Sequence, residues 1–312
     1  NDGVTIESNT ISSSGPGYAG IVVQGYGNAY LGNGNGSCTG NGQYVSSSQD
    51  GPMVIKSNTI TGNGLSIEGS GYCIDGNTIS GANNGIYIAA TSFNAGATPT
   101  SHIISNNVIT GSQTGIKVVS NADGNTITSN TIKDGLEGIG CSGSDNNTIS
   151  GNTITNNKPS NFGLSGTSQA MAIGTCDNNT ISNNQITNNN QGIEIQVSDG
   201  NTLSGNTISN NDGNGIRLLV GTGNVLTNNI VNDNSGYGFL VESNSAPDTF
   251  TDNTASGNSL GDFEGITTSN VDLAFSSNLL MPQPSSGNYL LGYSDFYIDG
   301  NVKNSGEGIA NN

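Results

Sequence analysis

One short phrase, repeated along the chain, limits what this sequence can fold into. Each copy has an apolar residue, two small or polar residues, an Asn, one more residue and usually another apolar one, as in the stretch from Ile6 to Ile11. Where no insertion intervenes, successive copies lie 22 to 25 residues apart. A unit of that length cannot bury its apolar face alone, so the repeat predicts a solenoid. The twelve recurring residues are Asn9, Asn58, Asn77, Asn107, Asn130, Asn152, Asn184, Asn206, Asn229, Asn253, Asn278 and Asn301.

Each repeat divides into three short strands. Polar and apolar residues alternate around Ile127 and Ile132, and a third apolar segment follows at Ile139. Gly, Asn and Asp stand at the joins, where positive φ or capped turns are needed. No segment keeps a helical apolar stripe over ten residues. Three strands per repeat, stacked in parallel, predict an all-β triangular coil of twelve rungs. At about 4.8 Å per rung the rod would be roughly 55–60 Å long.

The recurring Asn is interpreted as structural. Stacked Asn side chains can bond to one another and to backbone that a narrow coil would leave unpaired. The predicted ladder consists of Asn58, Asn77, Asn107, Asn130, Asn152, Asn184, Asn206, Asn229 and Asn253.

These repeats, as in residues 147–157 followed by Gly192–Ile195, resemble the right-handed parallel β-helix repeat of the pectin-lyase-like superfamily, which includes NosD-type proteins. The resemblance covers nearly the whole chain and implies a single right-handed parallel β-helix domain over residues 1–312. It implies no one activity, because this scaffold carries lyases, hydrolases, epimerases, adhesins and structural rods. Enzymes of this fold use Lys, Arg, His or Tyr as acid and base. No Asp-Pro-His epimerase signature is present, and the single His102 is interpreted as structural.

The charge of the chain excludes some partners. Net charge is −17 with six Lys and Arg residues, too few cations to neutralise the phosphates of nucleic acid or an anionic membrane. The sequence contains no run of eighteen apolar residues, so no membrane insertion is predicted. The sequence also begins without a charged-then-apolar leader, so a signal would have been removed before Asn1 or is not included. We expect an extracellular or cell-surface location.

Three insertions interrupt the repeat, at residues 24–52, 89–101 and 158–168. The first two leave from one edge of the rod, in a region rich in tyrosine. Aromatic rings on a loop-walled surface could stack on sugars, or they could pack the loops against the rod. The candidate sugar-binding residues are Tyr26, Tyr30, Tyr44, Tyr72 and Tyr87.

Four cysteines, Cys38, Cys73, Cys141 and Cys176, are an even number that is compatible with two disulfides and three connectivities. A bond between Cys38 and Cys73 is feasible, whereas the orientation of the other two leaves their pairing open. Zinc is disfavoured by the single His and the lack of a CxxC motif.

Two groups of charged residues stand at equivalent positions of successive repeats. Asp123, Asp145, Asp177 and Asp199 precede the first strand of four rungs, where they could cap turns or share Ca²⁺. Otherwise no cofactor is predicted. Glu194 and Arg217 occupy the same outward column one rung apart and are expected to form an exposed ion pair. As a catalytic acid and electrophile they would need a third partner, and none is evident from the sequence.

The leading functional hypothesis is a secreted, non-enzymatic β-helix rod that is fibre-forming, adhesive or part of the cell envelope. Neither terminus resembles a cap, which fits either a piece of a longer protein or rods that self-associate end to end. Other cell-surface components and glycans are further possible partners. The alternative hypothesis is a carbohydrate-active or carbohydrate-binding β-helix protein that uses the tyrosine-rich N-terminal loops.

Overall fold

The computed structural model describes residues 5–12, 21–24, 30–31, 43–44, 54–68, 71–89, 101–242, 245, 247 and 249–266. Three parallel sheets of ten strands each form a three-sided coil, and each turn of the coil contributes one strand to every sheet. The predicted parallel β-helix is therefore present, with ten rungs in the described residues. The eleventh and twelfth predicted copies, at Asn278 and Asn301, lie outside them.

Within each sheet the strands follow one another in rung order. The first sheet contains Thr5–Glu7, Val54–Lys56, Cys73–Asp75, Ile103–Ser105, Thr126–Thr128, Thr148–Ser150, Thr180–Ser182, Thr202–Ser204, Val225–Thr227 and Thr249–Thr251. The second sheet contains Thr10–Ser12, Thr59–Thr61, Thr78–Ser80, Val108–Thr110, Thr131–Lys133, Thr153–Thr155, Gln185–Thr187, Thr207–Ser209, Ile230–Asn232 and Thr254–Ser256. The third sheet contains Ile21–Gln24, Leu65–Glu68, Asn84–Ala89, Thr114–Val119, Glu137–Ser142, Gln169–Gly174, Gln191–Gln196, Ile216–Leu219, Tyr237–Val241 and Gly261–Glu264.

Two further elements belong to the insertions. Tyr30–Leu31 and Gln43–Tyr44 form a two-stranded antiparallel sheet within the first insertion. A single turn of 3₁₀-helix, Pro159–Phe162, lies in the third insertion. Among the described residues, no helix has the length and apolar character needed to cross a membrane.

The core is a set of aliphatic columns that run along the rod. Middle residues of the short strands, such as Ile127 and Ile132, point inward and are at most 1% exposed. The register aligns each with its equivalent in the next rung, as Ile127 with Ile149 in the first sheet. Each fully buried aliphatic side chain contributes roughly 1.5–3 kcal/mol relative to an exposed one, so stacking offsets the low apolar content of the sequence.

Asn ladders line all three corners of the coil. At the corner between the first and second sheets, Asn152 Oδ1 accepts the backbone N–H of Asn130, and Asn152 Nδ2 donates to the Ile127 carbonyl and to Asn184 Oδ1. The same pattern joins the predicted ladder from Asn58 to Asn253. Two further ladders were not predicted: Asn125, Asn147, Asn179, Asn201 and Asn224 before the first sheet, and Asn157, Asn189, Asn211, Asn234 and Asn258 before the third.

A disulfide joins Cys141 to Cys176, with their Cα atoms 6.5 Å apart. Cys141 belongs to the third sheet of the fifth rung, and Cys176 follows the third strand of the sixth rung. Both are at most 5% exposed, so this bond crosslinks two consecutive rungs from inside the core. Cys73 is also disulfide-bonded, while Cys38 lies outside the described residues.

Candidate functional site

The outward surfaces of the three sheets differ in chemistry. In the fifth to eighth rungs the first sheet presents Thr and Ser almost exclusively, as at Thr148 and Ser150, and the second sheet is similar, as at Thr153 and Thr155. The third sheet instead presents long polar, charged and very small side chains. We give the name third-sheet face to the following outward residues of this sheet: Tyr87, Lys117, Glu137, Gly140, Gln169, Ala172, Gln191, Glu194, Arg217, Leu240 and, just beyond its strand, Glu242.

A connected polar line runs along this face over the sixth to ninth rungs. Gln169 Nε2 donates to Glu194 Oε1 at 3.4 Å, and Arg217 Nη1 donates to Glu194 Oε2 at 3.0 Å. On its other side Arg217 Nε donates to Glu242 Oε1 at 2.9 Å, and its Nη2 bonds to the same oxygen. The guanidinium is thus held between two carboxylates. Glu242 is a second carboxylate partner of Arg217 that the sequence analysis did not identify.

The environment of Arg217 keeps it charged. The hydrogen bond to Glu242 raises the pKa of the guanidinium above its ordinary value, and the charges of Glu194 and Glu242 act in the same direction against partial burial. Because its side chain is 32% exposed, the ion pairs are screened by solvent and contribute less than about 1 kcal/mol each to stability. Their main effect is therefore to fix the positions of the three side chains.

Two small residues lie beside this line. Gly140 and Ala172 occupy neighbouring positions of the same outward column, between Lys117 on one side and Glu194 on the other. A Cβ at Gly140 would come within 2.9 Å of Glu137 Oε1, so the missing side chain lets the Glu137 carboxylate lie over the strand. Thr114 Oγ1 holds that carboxylate by donating to Glu137 Oε2 at 2.9 Å.

The third insertion borders this face at the sixth rung. Its residue Lys158 forms an ion pair with Asp212 at 2.8 Å, and Asn161 Nδ2 donates to the carbonyl of Gly135. Both contacts anchor the insertion at the edge where Gln169 begins the third strand. The insertion presents an exposed Leu164 and a half-buried Phe162 to solvent.

The structure separates the tyrosines that the sequence grouped together. Tyr87 lies on the third-sheet face, one rung from Lys117. Tyr72 lies in the core at 5% exposure, with its ring 5.3 Å from the ring of His102, and burial raises the pKa of its phenol. Tyr30 and Tyr44 are cross-strand partners in the first insertion, and Tyr26 lies outside the described residues.

The aspartate column forms a backbone ladder between rungs. Each carboxylate accepts the amide N–H at the equivalent position of the next rung: Asp145 N–H donates to Asp123, Asp177 to Asp145, Asp199 to Asp177 and Thr222 to Asp199, at 2.6–2.8 Å. In the described part of the chain, no group of three or more His, Cys, Asp or Glu side chains is arranged to hold a metal ion. Calcium binding at this column stays a prediction.

His102 is a member of the second Asn ladder. It is fully buried, its N–H donates to Asn125 Oδ1, and its Nδ1 accepts the N–H of Tyr72 at 3.2 Å. An imidazole nitrogen thus takes the position of an Asn oxygen, which is the structural role expected from the sequence.

Sequence reasoning missed Glu137, Gln169 and Glu242 as members of the third-sheet face. A signal was present, because the outward columns of the third strands contain far less Thr and Ser than those of the other two sheets. The sequence analysis placed the sugar-binding prediction on the N-terminal tyrosines instead, because aromatic residues are the more familiar sign of a sugar-binding surface.

Comparisons with known proteins agree with this architecture. Residues 165–302 match the family model described as "Right handed beta helix region", and residues 96–171 match "Periplasmic copper-binding protein (NosD)". No curated protein sequence matches the chain.

Several solved structures share the fold at low sequence identity. Pectate lyase Pel9A is 15% identical, with a TM-score of 0.53 over 72% of this chain and 70% of that one. XylC in complex with xylose is 16% identical over 61% of this chain, with a TM-score of 0.47, and only 36% of its length is covered. The A-module of the mannuronan C-5 epimerase AlgE6 from Azotobacter vinelandii is 13% identical over 70% of this chain and 81% of that one, with a TM-score of 0.42. At these identities the likeness shows the fold alone.

Proposed function

Because the chain is a right-handed parallel β-helix, we propose that it binds a carbohydrate chain through the third-sheet face. The observation that carries the proposal is the fixed polar line from Gln169 through Glu194 and Arg217 to Glu242. Two of the three outward surfaces repeat Thr and Ser, and this one departs from the repeat.

The chemistry of the line suits sugar hydroxyls. A hydroxyl both donates and accepts hydrogen bonds, and the line offers carboxylate acceptors beside amide and guanidinium donors. Because Glu194 and Arg217 fix each other, little side-chain entropy is lost when a ligand binds. The small side chain of Ala172 leaves room beside the line for a sugar ring.

The likeness to pectate lyase Pel9A favours a carbohydrate ligand over a purely structural rod. One scaffold can host unrelated functions, so this likeness supports the proposal without carrying it. Disulfides persist in oxidising compartments, so we place the protein outside the cytoplasm, at the cell surface or in the periplasm.

Copper, which the NosD description names, does not fit the residues of the matched segment. Soft or imidazole donors bind copper, and this segment offers His102, Cys141 and Met171. Cys141 is in a disulfide, Met171 is fully buried among apolar residues, and the Nδ1 of His102 accepts a backbone N–H. No step of the proposed function involves a metal.

The test is a steric block with a matched control. Ala172→Trp places an indole over the centre of the third-sheet face, while Thr153→Trp places one on the second sheet of the same rung. We expect a polysaccharide panel to yield at least one ligand whose binding weakens tenfold or more in Ala172→Trp and is unchanged in Thr153→Trp. Equal thermal melting of both variants serves as the folding control. Release of reducing sugar or unsaturated product, followed in the same samples, tells whether binding leads to cleavage.

Two results would overturn the proposal: no binding to any polysaccharide of the panel, or equal loss of binding in both variants.

End-to-end association of rods stays a prediction, because residues 267–312 and the first four residues lie outside the described part. Sedimentation of the wild-type protein over a range of concentrations tests it separately.

A further inference from the structure

The cation in the line on the third-sheet face is already paired with two carboxylates. Arg217 makes hydrogen bonds to both Glu194 and Glu242, which come from the rungs before and after it. The side chain of Glu194 is only 16% exposed, so losing its partner would leave a largely desolvated charge. Turning Arg217 toward a ligand carboxylate would leave one of these glutamates unpaired, and the two glutamates together already outweigh its single positive charge.

The other charged residues of the third-sheet face do not place a second cation near Arg217 that could bind a ligand carboxylate. Between the fourth and ninth rungs the third-sheet face has two cations, Lys117 and Arg217, and three carboxylates, Glu137, Glu194 and Glu242. Lys117 lies four rungs from Arg217, about 19 Å along the rod at the usual strand spacing. It can attract a negative group at one end only. Lys158, at the edge of the face, is paired with Asp212.

From this arrangement we propose that the third-sheet face selects uncharged saccharide chains and rejects polyuronates, with Glu194 and Glu242 as the residues that determine this specificity. The inference rests on the proposed carbohydrate-binding function and adds the class of ligand.

The physical reason is a difference between hydroxyl and carboxylate ligands. A neutral sugar hydroxyl can donate to the free lone pairs of Glu194 or Glu242 while both keep Arg217. A uronate carboxylate can only accept, and it would meet two fixed carboxylates of its own sign at contact distance. Like charges placed together across an interface disfavour the wrong partner by several kcal/mol in general.

The experiment removes the two negative charges and keeps the shapes. The double variant Glu194→Gln and Glu242→Gln retains amide oxygens that can accept from Arg217 and frees its positive charge. The matched control, Asp233→Asn and Asp252→Asn, changes net charge by the same amount at corners that lie off the face. Asn accepts the left-handed backbone of those two positions.

Xylan, β-glucan and mannan serve as neutral probes, and polygalacturonate and alginate as polyuronate probes. Titration calorimetry at low ionic strength measures each affinity. The wild-type protein and the control should bind a neutral probe at least tenfold more tightly than either polyuronate. The Glu194→Gln, Glu242→Gln variant should gain roughly tenfold or more in polyuronate affinity, and added salt should weaken that gain.

The outcomes separate this inference from the proposed function. Wild-type binding to a polyuronate as tight as to the neutral probes would overturn the specificity and leave carbohydrate binding intact, provided that Ala172→Trp abolishes it. An unchanged polyuronate affinity in the glutamine variant would also overturn it. A wild-type protein that binds none of the five probes would overturn both.

Discussion

The repeat is regular at the corner between the first and second sheets and irregular around the third sheet. At that corner ten rungs keep an Asn in the ladder, and every left-handed turn residue is Ser, Gly, Asn or Asp. Around the third sheet the Asn ladder is broken at Ala82, Ser112 and Gly135, an insertion interrupts the sixth rung, and β-branched residues occupy left-handed turns. Uniform parts of the repeat build the rod, whereas its exceptions gather on one side.

The largest expected effect contrasts the intact ladder with its gap. Asn152→Leu leaves the N–H of Asn130 and the carbonyl of Ile127 without their side-chain partner in a dry interior, and Asn184 Oδ1 keeps only the backbone N–H of residue 152. We expect a loss of about 3–5 kcal/mol in the free energy of unfolding. Ser112→Ala removes a buried hydroxyl that has no hydrogen-bond partner, and it should be neutral or stabilise by up to about 1 kcal/mol. Urea denaturation measures both, and similar losses in the two variants would contradict the contrast.

The second prediction concerns His102, the imidazole within an Asn ladder. His102→Leu deprives the Tyr72 N–H of its acceptor and should destabilise by about 1–3 kcal/mol. His102→Asn restores an acceptor of the kind found in the following rungs, so its loss should be smaller, although the ring contact with Tyr72 disappears. Thermal melts rank the two variants, and a larger loss for Asn than for Leu would mean that ring packing dominates.

A third prediction exchanges residues between the two kinds of corner. Val197 and Val220 have φ of 49° and 59°, a backbone conformation that strains a β-branched residue. Their side chains are about half exposed, so burial of apolar surface offsets little of that strain. Val220→Asn should stabilise the protein by about 1 kcal/mol, because Asn tolerates this conformation. The reciprocal change at the regular corner, Asn228→Val with φ of 56°, should destabilise it by a similar amount. Equal effects of the same sign would show that the two corners do not differ.

The smallest effect is a dependence on alkaline pH. Burial raises the pKa of the Tyr72 phenol in the folded state above its unfolded value of about 10. Below that pH both states are protonated; above it the unfolded state loses the proton first, so stability falls as pH rises. The slope from this residue cannot exceed about 1.4 kcal/mol per pH unit. Tyr72→Phe should remove it, and the outward Tyr87→Phe should not, in denaturation series between about pH 9 and 11.

The sequence predicted the regular side of the molecule well. Isoleucines at fixed positions of the repeat, such as Ile127 and Ile149, predicted the inward columns, because burial tolerates little variation there. The second and third Asn ladders also had a signal. They lie five residues before and five residues after the first, as Asn201 and Asn211 do around Asn206. Asn, like Gly, is common in exposed turns. The five-residue spacing alone therefore did not distinguish a buried ladder Asn from an Asn in an exposed turn.

The irregular side was harder to predict. Glu194, Arg217 and Glu242 meet because rungs of different length still stack in register, and rung length depends on where each extra turn residue is accommodated. The position of Glu242 follows from the end of a strand rather than from the repeat. The disulfide, left open by the sequence, depends on which way Cys141 faces within its strand.

That crosslink changes how such a rod can come apart. A stack of similar rungs held by nearest-neighbour contacts is expected to fray from either end, one unit after another. With Cys141 and Cys176 covalently joined across the fifth and sixth rungs, an opening front that reaches this pair cannot separate them. Under oxidising conditions we therefore expect the stretch that presents Gly140 and Ala172 to resist this fraying.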